Sequence, residues 1–448
     1  MNNYLEEYKS KLVTADDAVK VVKSGDWVGY SHFACTPKVL DEALAKRKDE
    51  LTDVKIRGVC AVHPVKVALA DPENRHFIYN SGFFSGNDRK LQDQGLSFHI
   101  PGLYAESPIC VREGHAIKPD VAMIVTTPMD ENGFFNFSVS NSYEHALCEM
   151  AETVIVEINQ NAPRCLGGAQ ESVHISEVDY IVEGNNDPLF EIPVHPPTEV
   201  DKRIAGLIVE EIEDGACLQL GIGGMPNTIG KMLADSDLKD LGVHSEMLCG
   251  AFVDLYEAGK ITGAKKSIDR FKMVFTFALG DERLYRFIHN NPACAIYPVD
   301  YTNSVFTIAR NDKQISINNA IEIDLYGQVS SESAGTRQIS GTGGQFDFTY
   351  GAFRSRGGKA FICLSSTKVV KGQVVSRIAP FITPGSIVTV PRTVVQYVVT
   401  EYGKVNLKGK STWQRAEMLI GIAHPDFRDE LIKQAEKMKI WTQTNKIQ

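Results

Sequence analysis

Apolar positions along this chain follow two periods, and the two periods alternate. Thr14-x-x-Asp17 precedes Ala18, Val21 and Val22 at helical spacing. A hydroxyl residue three positions before an acid is a helix N-terminal signature. Gly25, the strand-like W-V-G-Y and Pro37 follow, and then a second helical stretch. The order recurs from Thr198-x-x-Asp201, with Ile204, Leu207, Ile208 and Ile212 on one face. Gly215, the strand C-L-Q-L-G and Pro226 complete it. The glycine-to-proline spacing is 12 residues in the first copy and 11 in the second. This predicts two copies of a helix–strand–turn–helix unit.

Further strands are predicted at V-A-M-I-V (121–125), V-I-V-E-I (154–158), M-V-F-T-F (273–277), A-F-I-C-L (360–364), S-I-V-T-V (386–390) and Y-V-V-T (397–400). They are short, apolar and β-branched, and helical stretches or glycine turns separate them. That is the pattern of open α/β domains with mainly parallel sheets. Between the copies lies N-N-D-P-L-F-E-I-P-V-H-P-P-T, residues 185–198. Proline removes a donor and fixes φ, so this run is neither helix interior nor central strand. It reads as a linker between domains at 1–190 and 191–448.

Composition narrows the function classes. The chain has 448 residues, enough for two or three domains, with 43% hydrophobic and 23% charged residues. Its net charge of −9 argues against a general nucleic-acid surface, which needs a basic face. The nine cysteines form no C-x-x-C pair, which suits reduced thiols in the cytoplasm. The N-terminal residues show no apolar signal region. No run approaches the ~18 apolar residues of a membrane span.

The chemistry concentrates between Gln219 and Gly250. Gly221, Gly223 and Gly224 follow an apolar strand and permit positive φ and close ligand approach. A helix is expected to start near Pro226 or Asn227, with its N–H groups facing an anion or a polarised carbonyl. A bare strand-to-helix turn fits the same letters. The dinucleotide fingerprint G-x-G-x-x-G fails, because its sixth position is Pro226. One helix later comes G-V-H-S-E-M-L-C-G. Glu246 is open to four readings: nucleophile, acid/base group, metal ligand or ion-paired surface residue. No H-E-x-x-H or H-x-x-E-H pattern supports a metal. On a strand, His244 would share the face of Glu246, although a hydrogen-bonded structural histidine is the plainer reading. Cys249 is a thiol of the kind that is usually buried and inert. No G-x-S-x-G elbow appears. A second glycine loop, S-G-T-G-G-Q, occupies residues 340–345 and also reads as a hairpin or bulge. Asn132-Gly133 is first a turn signal.

Taken together, these segments become specific. Q-L-G-I-G-G-M-P-N, G-V-H-S-E-M, S-A-G-T-R-Q-I-S-G-T-G-G-Q-F-D-F, V-V-T-E-Y-G-K-V-N-L-K-G and A-H-P-D-F-R-D-E-L occur in this order. The set resembles the acetyl-CoA hydrolase/4-hydroxybutyrate CoA-transferase family of class I CoA-transferases, over essentially the whole chain. S-G-D-W-V, D-E-A-L-A-K-R and L-T-D-V-K-I-R-G are most similar to its bacterial butyryl-CoA:acetate members.

The resemblance implies two open α/β domains of related topology with the active site between them. It implies that Glu246 is a covalent nucleophile, passing through an acyl-glutamyl anhydride and a glutamyl-CoA thioester with ping-pong kinetics. Coenzyme A is then substrate and covalent intermediate, with no permanently bound cofactor and no metal. Gln219 and Gly221, Ile222, Gly223, Gly224 and Met225 match positions that line the reacting carbonyl. Gly344 and Ile321 match positions that contact CoA. Lys368 and Lys371 are candidates for its phosphates on charge and placement. The expected partners are an acyl-CoA and a short-chain carboxylate, in a cytoplasmic homo-oligomer without nucleic acid or membrane. Many relatives carry glycine shortly after the N-G turn, where this chain has Phe137-Ser138. Phe83, Phe84, Phe98 and the F-F-N-F cluster are therefore candidate walls for the acyl chain. Three other readings stand beside this one: a short-chain acyl-CoA hydrolase, a transferase preferring 4-hydroxybutyryl- or propionyl-CoA, and a non-catalytic CoA- or nucleotide-binding module.

Overall fold

The structure is a computed structural model that describes residues 4–116, 118–193, 196–221 and 224–441. Ile222 and Gly223 of the glycine turn therefore lie outside the described residues. The chain divides into two compact units. The first comprises Met1–Ile192, Glu246–Leu248 and Val274–Thr302. The second comprises Pro193–Ser245, Cys249–Met273 and Asn303–Gln448.

In the first unit seven strands lie side by side, all parallel. Their order is Phe98–His99, Phe77–Ser81, Val54–Gly58, Trp27–Tyr30, Val121–Thr126, Thr153–Ile158 and Tyr180–Glu183. Val28 pairs with Ile56 on one side and Val121 on the other. Every residue of Val121–Thr126 is buried, as expected for a central strand covered on both faces. Thr14 caps the first-copy helix by accepting from the Asp17 N–H. Val28, Tyr30, Leu40, Leu44, Ile56, Phe77 and Tyr79 form the core on one side of this sheet.

In the second unit the parallel strands run Gly242–His244, Cys217–Leu220, Gln314–Asn319, Lys359–Cys363 and Tyr397–Thr400, and Gly403–Asn406 returns antiparallel. Thr198 and Asp201 form a reciprocal capping box at helix Glu199–Val209. Ile323, Val329, Ile362, Val398, Leu419 and Ile420 belong to one core cluster of this unit.

The two repeat strands hold the same place in their sheets. Trp27–Tyr30 and Cys217–Leu220 each lie between the next strand in sequence and a later one. Strand succession reverses there, and such a reversal opens a crevice at the strand's carboxyl end.

Three sequence expectations change. S-I-V-T-V is not a strand: only Val390 makes an isolated bridge, to Val329. Ile387 and Val388 are exposed, so their apolar character does not report a core position. M-V-F-T-F breaks at Thr276 into Met273–Phe275 and Phe277–Ala278. The helix after the glycine turn starts at Gly224, ahead of Pro226, which a first helical turn tolerates because its missing N–H has no partner there.

Candidate functional site

Gln219 lies on the Cys217–Leu220 strand and is only 4% exposed. Its amide is held from one end. Oε1 accepts from Ser316 Oγ at 2.9 Å, the Ile317 N–H at 3.1 Å and Asn318 Nδ2 at 3.2 Å. A backbone N–H can only donate, so the atom it meets is the carbonyl oxygen and the amide orientation follows. With the carbonyl end saturated, the NH₂ end is the chemically available one; Asn318 Oδ1 approaches it at 3.5 Å. Ser316 and Asn318 went unread in the sequence. Their signal was a run of polar residues at i, i+2 and i+4 on one face of Q-I-S-I-N-N, with isoleucines on the other.

Beyond the strand, a Cβ at Gly221 would meet nothing within 4 Å among the described residues, and its φ is not positive. Gly224 is not at positive φ either, and a Cβ there would approach Asp201 Oδ2 at 3.1 Å. The expected need for left-handed backbone at these two glycines is therefore not met. What Gly221 supplies is open space. Met225 is buried in the first turn of helix Gly224–Ala234. Ile321 follows strand Gln314–Asn319, and its N–H bonds the Ser330 carbonyl at 2.9 Å. Gly343 does adopt positive φ, 52°. Gly344 is the N-cap of helix Gln345–Arg354, and Gln345 Nε2 donates to the Asn319 carbonyl at 2.9 Å. The second glycine loop is thus brought to the carboxyl end of strand Gln314–Asn319, the neighbour of the strand that holds Gln219. Lys368 instead sits on a hairpin, Thr367–Val370 paired with Gln373–Ser376, and Lys371 forms its turn at φ 49°.

Glu246 is partly exposed, whereas every other residue from Leu241 to Cys249 is buried. It does not lie on a strand with His244. Strand Gly242–His244 stops, and Met247–Leu248 pairs in parallel with Phe277–Ala278. At the break, the Glu246 carbonyl accepts from the Thr276 N–H at 2.9 Å and the Phe277 N–H at 3.3 Å. The segment entering the break is clamped by Lys266. Its Nζ donates to the carbonyls of Val243 at 2.8 Å and Lys272 at 2.7 Å. Burial lowers the pKa of this lysine. His244 is wholly buried, and its carbonyl accepts from Gln314 Nε2. Burial raises the Cys249 thiol to about 11, which leaves it protonated and unreactive.

The proposed wall aromatics scatter. Phe84, Phe135 and Phe137 are sealed in the core, while Phe98 and Phe134 are exposed. Ser138 stands at φ 57°, a conformation that suits glycine. Phe277, whose backbone N–H meets the Glu246 carbonyl, stacks its ring on that of Phe33 at 3.7 Å. Among the described residues no cluster of histidine, cysteine and acids is arranged to hold a metal ion. No helix among the described residues is long and apolar enough to cross a membrane.

Comparison with known proteins covers the whole chain. Residues 1–193 match the acetyl-CoA hydrolase/transferase N-terminal domain, and residues 280–435 match the C-terminal domain of the same family. A butyryl-CoA:acetate CoA-transferase of Anaerostipes caccae is 54% identical, across 99% of this chain and 100% of that protein. The crystal structure of RipA from Yersinia pestis superposes with a TM-score of 0.90 at 37% identity, covering 98% of this chain and 100% of that one. A 4-hydroxybutyrate CoA-transferase from Porphyromonas gingivalis gives 0.80 at 32% identity, covering 97% and 100%. This chain belongs to the acetyl-CoA hydrolase/transferase family.

Proposed function

We propose that this protein moves CoA from butyryl-CoA to acetate, using Glu246 as the covalent carrier. The observation that carries the reading is the full-length, 54% identity to a butyryl-CoA:acetate CoA-transferase. The exposure of Glu246 within an otherwise buried segment supports its role.

In this reading the Glu246 carboxylate attacks the thioester carbonyl. The C–S bond breaks, giving an acyl-glutamyl anhydride and CoA thiolate. The thiolate attacks the glutamyl carbonyl, releases butyrate and leaves a glutamyl-CoA thioester. Acetate attacks that thioester, and the steps run in reverse to acetyl-CoA and free Glu246. The thioester's energy is conserved, so no nucleotide triphosphate enters. Each tetrahedral intermediate carries an oxyanion. Gln219 Nε2 and the backbone N–H groups from Gly221 to Met225 are assigned to it; Ile222 and Gly223 enter by sequence position alone. Gly344, Ile321 and Lys368 are assigned to CoA. Coenzyme A is substrate and intermediate, with no resident cofactor. We place the protein in the cytoplasm as a homo-oligomer, with its domain boundary near residue 190.

The test is Glu246→Gln and Glu246→Ala. Both should abolish butyryl-CoA:acetate exchange, and borohydride reduction during turnover should label Glu246 in the parent. Full activity in either variant would falsify the reading. The family description also includes hydrolases. Free-thiol release that requires acetate supports transfer; equal release without acetate would make the protein a hydrolase.

A further inference from the structure

The carboxyl end of strand Trp27–Tyr30 is filled by a buried polar chain that the reaction scheme above does not use. His32, Ser142 and Glu144 are wholly buried, and Tyr104 is 8% exposed. His32 Nδ1 lies 3.0 Å from Ser142 Oγ and 3.1 Å from Glu144 Oε1. The same carboxylate oxygen accepts from Ser140 Oγ at 2.6 Å and from the His32 N–H at 3.1 Å. Ser142 Oγ is hydrogen-bonded to the Tyr104 hydroxyl.

The polarity of this chain follows from its acceptor. A carboxylate oxygen only accepts, so the ring nitrogen facing Glu144 carries the proton. Ser142 Oγ then accepts from His32, which leaves the Ser142 proton available to Tyr104; in that arrangement the Tyr104 proton is left to donate outward.

Ser142 is held in place at a cost. Its φ is 27°, a sparsely populated value for serine. Backbone bonds fix it there: the Ser142 N–H donates to the Thr276 carbonyl at 3.2 Å, and the Ser142 carbonyl accepts from the Val299 N–H at 2.8 Å. Thr276 in turn donates its N–H to the Glu246 carbonyl. The Ser142 backbone is thus two hydrogen bonds from that of Glu246. The ring of Tyr104 meets Phe33 edge-on, and Phe33 stacks on Phe277.

We propose that Glu144, His32 and Ser142 orient the Tyr104 hydroxyl as a neutral donor facing Glu246, which makes Tyr104 a positioning residue for the nucleophile. This rests on the reading of Glu246 as the covalent carrier. No proton leaves Tyr104; its dipole favours the ionised, attacking form of the carboxylate. The hydroxyl stays neutral: burial and then the charge of Glu144 raise its pKa well above the ordinary value, the Ser142 hydrogen bond lowers it, and the charge of Glu246 adds a further, smaller rise. Tyr143 adds to the same effect. Its ring lies 4.2 Å from that of His32 and under the Arg57 guanidinium at 5.6 Å.

The test compares Tyr104→Phe, Ser142→Ala, their double variant and Glu246→Gln in butyryl-CoA:acetate exchange. A donor to a charged group predicts a kcat loss of about 10- to 100-fold in Tyr104→Phe, with KM for butyryl-CoA within about threefold. Ser142→Ala should lose kcat in the same sense, and the double variant should lose no more than Tyr104→Phe alone. Borohydride should still label Glu246 in Tyr104→Phe. Unchanged kcat in Tyr104→Phe, or losses that multiply in the double variant, overturns the proposal while an inactive Glu246→Gln leaves the nucleophile standing. An active Glu246→Gln overturns both. If Tyr104→Phe does not fold, Ser142→Ala decides alone: a kcat loss of at least about fivefold at constant KM supports the proposal, and anything smaller overturns it.

Discussion

The carboxyl ends of strands Trp27–Tyr30 and Cys217–Leu220 occupy equivalent positions in their sheets and are furnished in opposite ways. After Tyr30 the chain runs through buried Ser31 and His32. Ser31 Oγ accepts from the Val125 N–H, and the His32 N–H donates to Glu144. The following helix, Lys38–Lys46, has its first N–H groups occupied: Lys38, Val39 and Leu40 all donate to the Glu157 carboxylate. The first copy has therefore built an anion into its own helix N-terminus. After Leu220 the chain instead turns through Gly221, with open space where a side chain would be. The polar groups beneath it are amides and a hydroxyl: Gln219, Asn318 and Ser316. One crevice is closed by its own carboxylates. The other presents neutral donors, the kind a developing oxyanion needs. The same topology carries a carboxylate-anchored positioning chain in one half and, on our reading, the oxyanion donors in the other.

The sharpest way to break this contrast is to remove the neutral donor. Gln219→Ala should lower kcat by about 100- to 1000-fold, ~3–4 kcal/mol, with little change in KM, as steady-state exchange assays would show. Asn318→Ala leaves Gln219 in place but loosens its amide. A loss of about five- to tenfold is expected from one neutral hydrogen bond. If Gln219→Ala lost no more than Asn318→Ala, Gln219 would be a packing residue and the contrast would fail.

Much of this architecture was legible in the sequence, and the failures have physical causes. W-V-G-Y and C-L-Q-L became strands, and Thr14 and Thr198 became caps, because local patterning and tertiary packing agree there. S-I-V-T-V misled because exposed β-branched residues in a loop look like a strand when burial is unknown. The glycine turn was visible as a turn, but the reason for its glycines was not: space at Gly221 rather than positive φ. The partners of Gln219 are 97 to 99 positions away, and the chain from Tyr104 to Ser142 to His32 spans 38 and then 110. Only the strand order brings such residues together. Glu246 was singled out by its company of small and apolar residues, yet the break in the strand at that residue was hidden.

A second comparison concerns what lies beneath the strand next to each crevice. Lys266 is the one lysine among the described residues that is buried, and it packs against Gly242. A Cβ at Gly242 would lie 2.5 Å from Lys266 Cγ and 3.0 Å from its Cδ. In the first unit the adjacent strand, Val54–Gly58, carries side chains at the positions paired with Trp27 and Val28. Gly242→Ala should therefore cost about 1–3 kcal/mol by overpacking, read as a shift in denaturant midpoint without a change in m. It should also loosen the carbonyl clamp at Val243 and so lower exchange activity. A neutral outcome in both would mean that Lys266 can swing away, and that the segment leading to Glu246 is not held by it.

The smallest effect separates the two crevices by titration. Beside the first one, Asp41 accepts from the Tyr30 hydroxyl at 3.0 Å and from the Lys66 and Val67 N–H groups. Burial raises its pKa to about 7, the hydrogen bonds lowering it and the charge of Glu157 adding to the rise. The unfolded carboxyl titrates near its ordinary value of about 3.9. Between those two values the folded state holds a proton that the unfolded chain has released. This contribution to stability is complete below about pH 4 and is lost as pH rises through 7, with a slope of at most roughly 1.4 kcal/mol per pH unit. Asp41→Asn removes the titration, so its stability should vary less between pH 5 and 8 than that of the parent, whatever its absolute value. Denaturant unfolding at four pH values measures the two slopes. Asp88 and Glu157, also buried and also raised, remain in both proteins and cancel from the difference. Equal slopes would show that Asp41 is ionised throughout, its three hydrogen bonds outweighing burial. The first crevice would then hold fixed negative charge at neutral pH, and its contrast with the neutral amides around Gln219 would be larger than drawn.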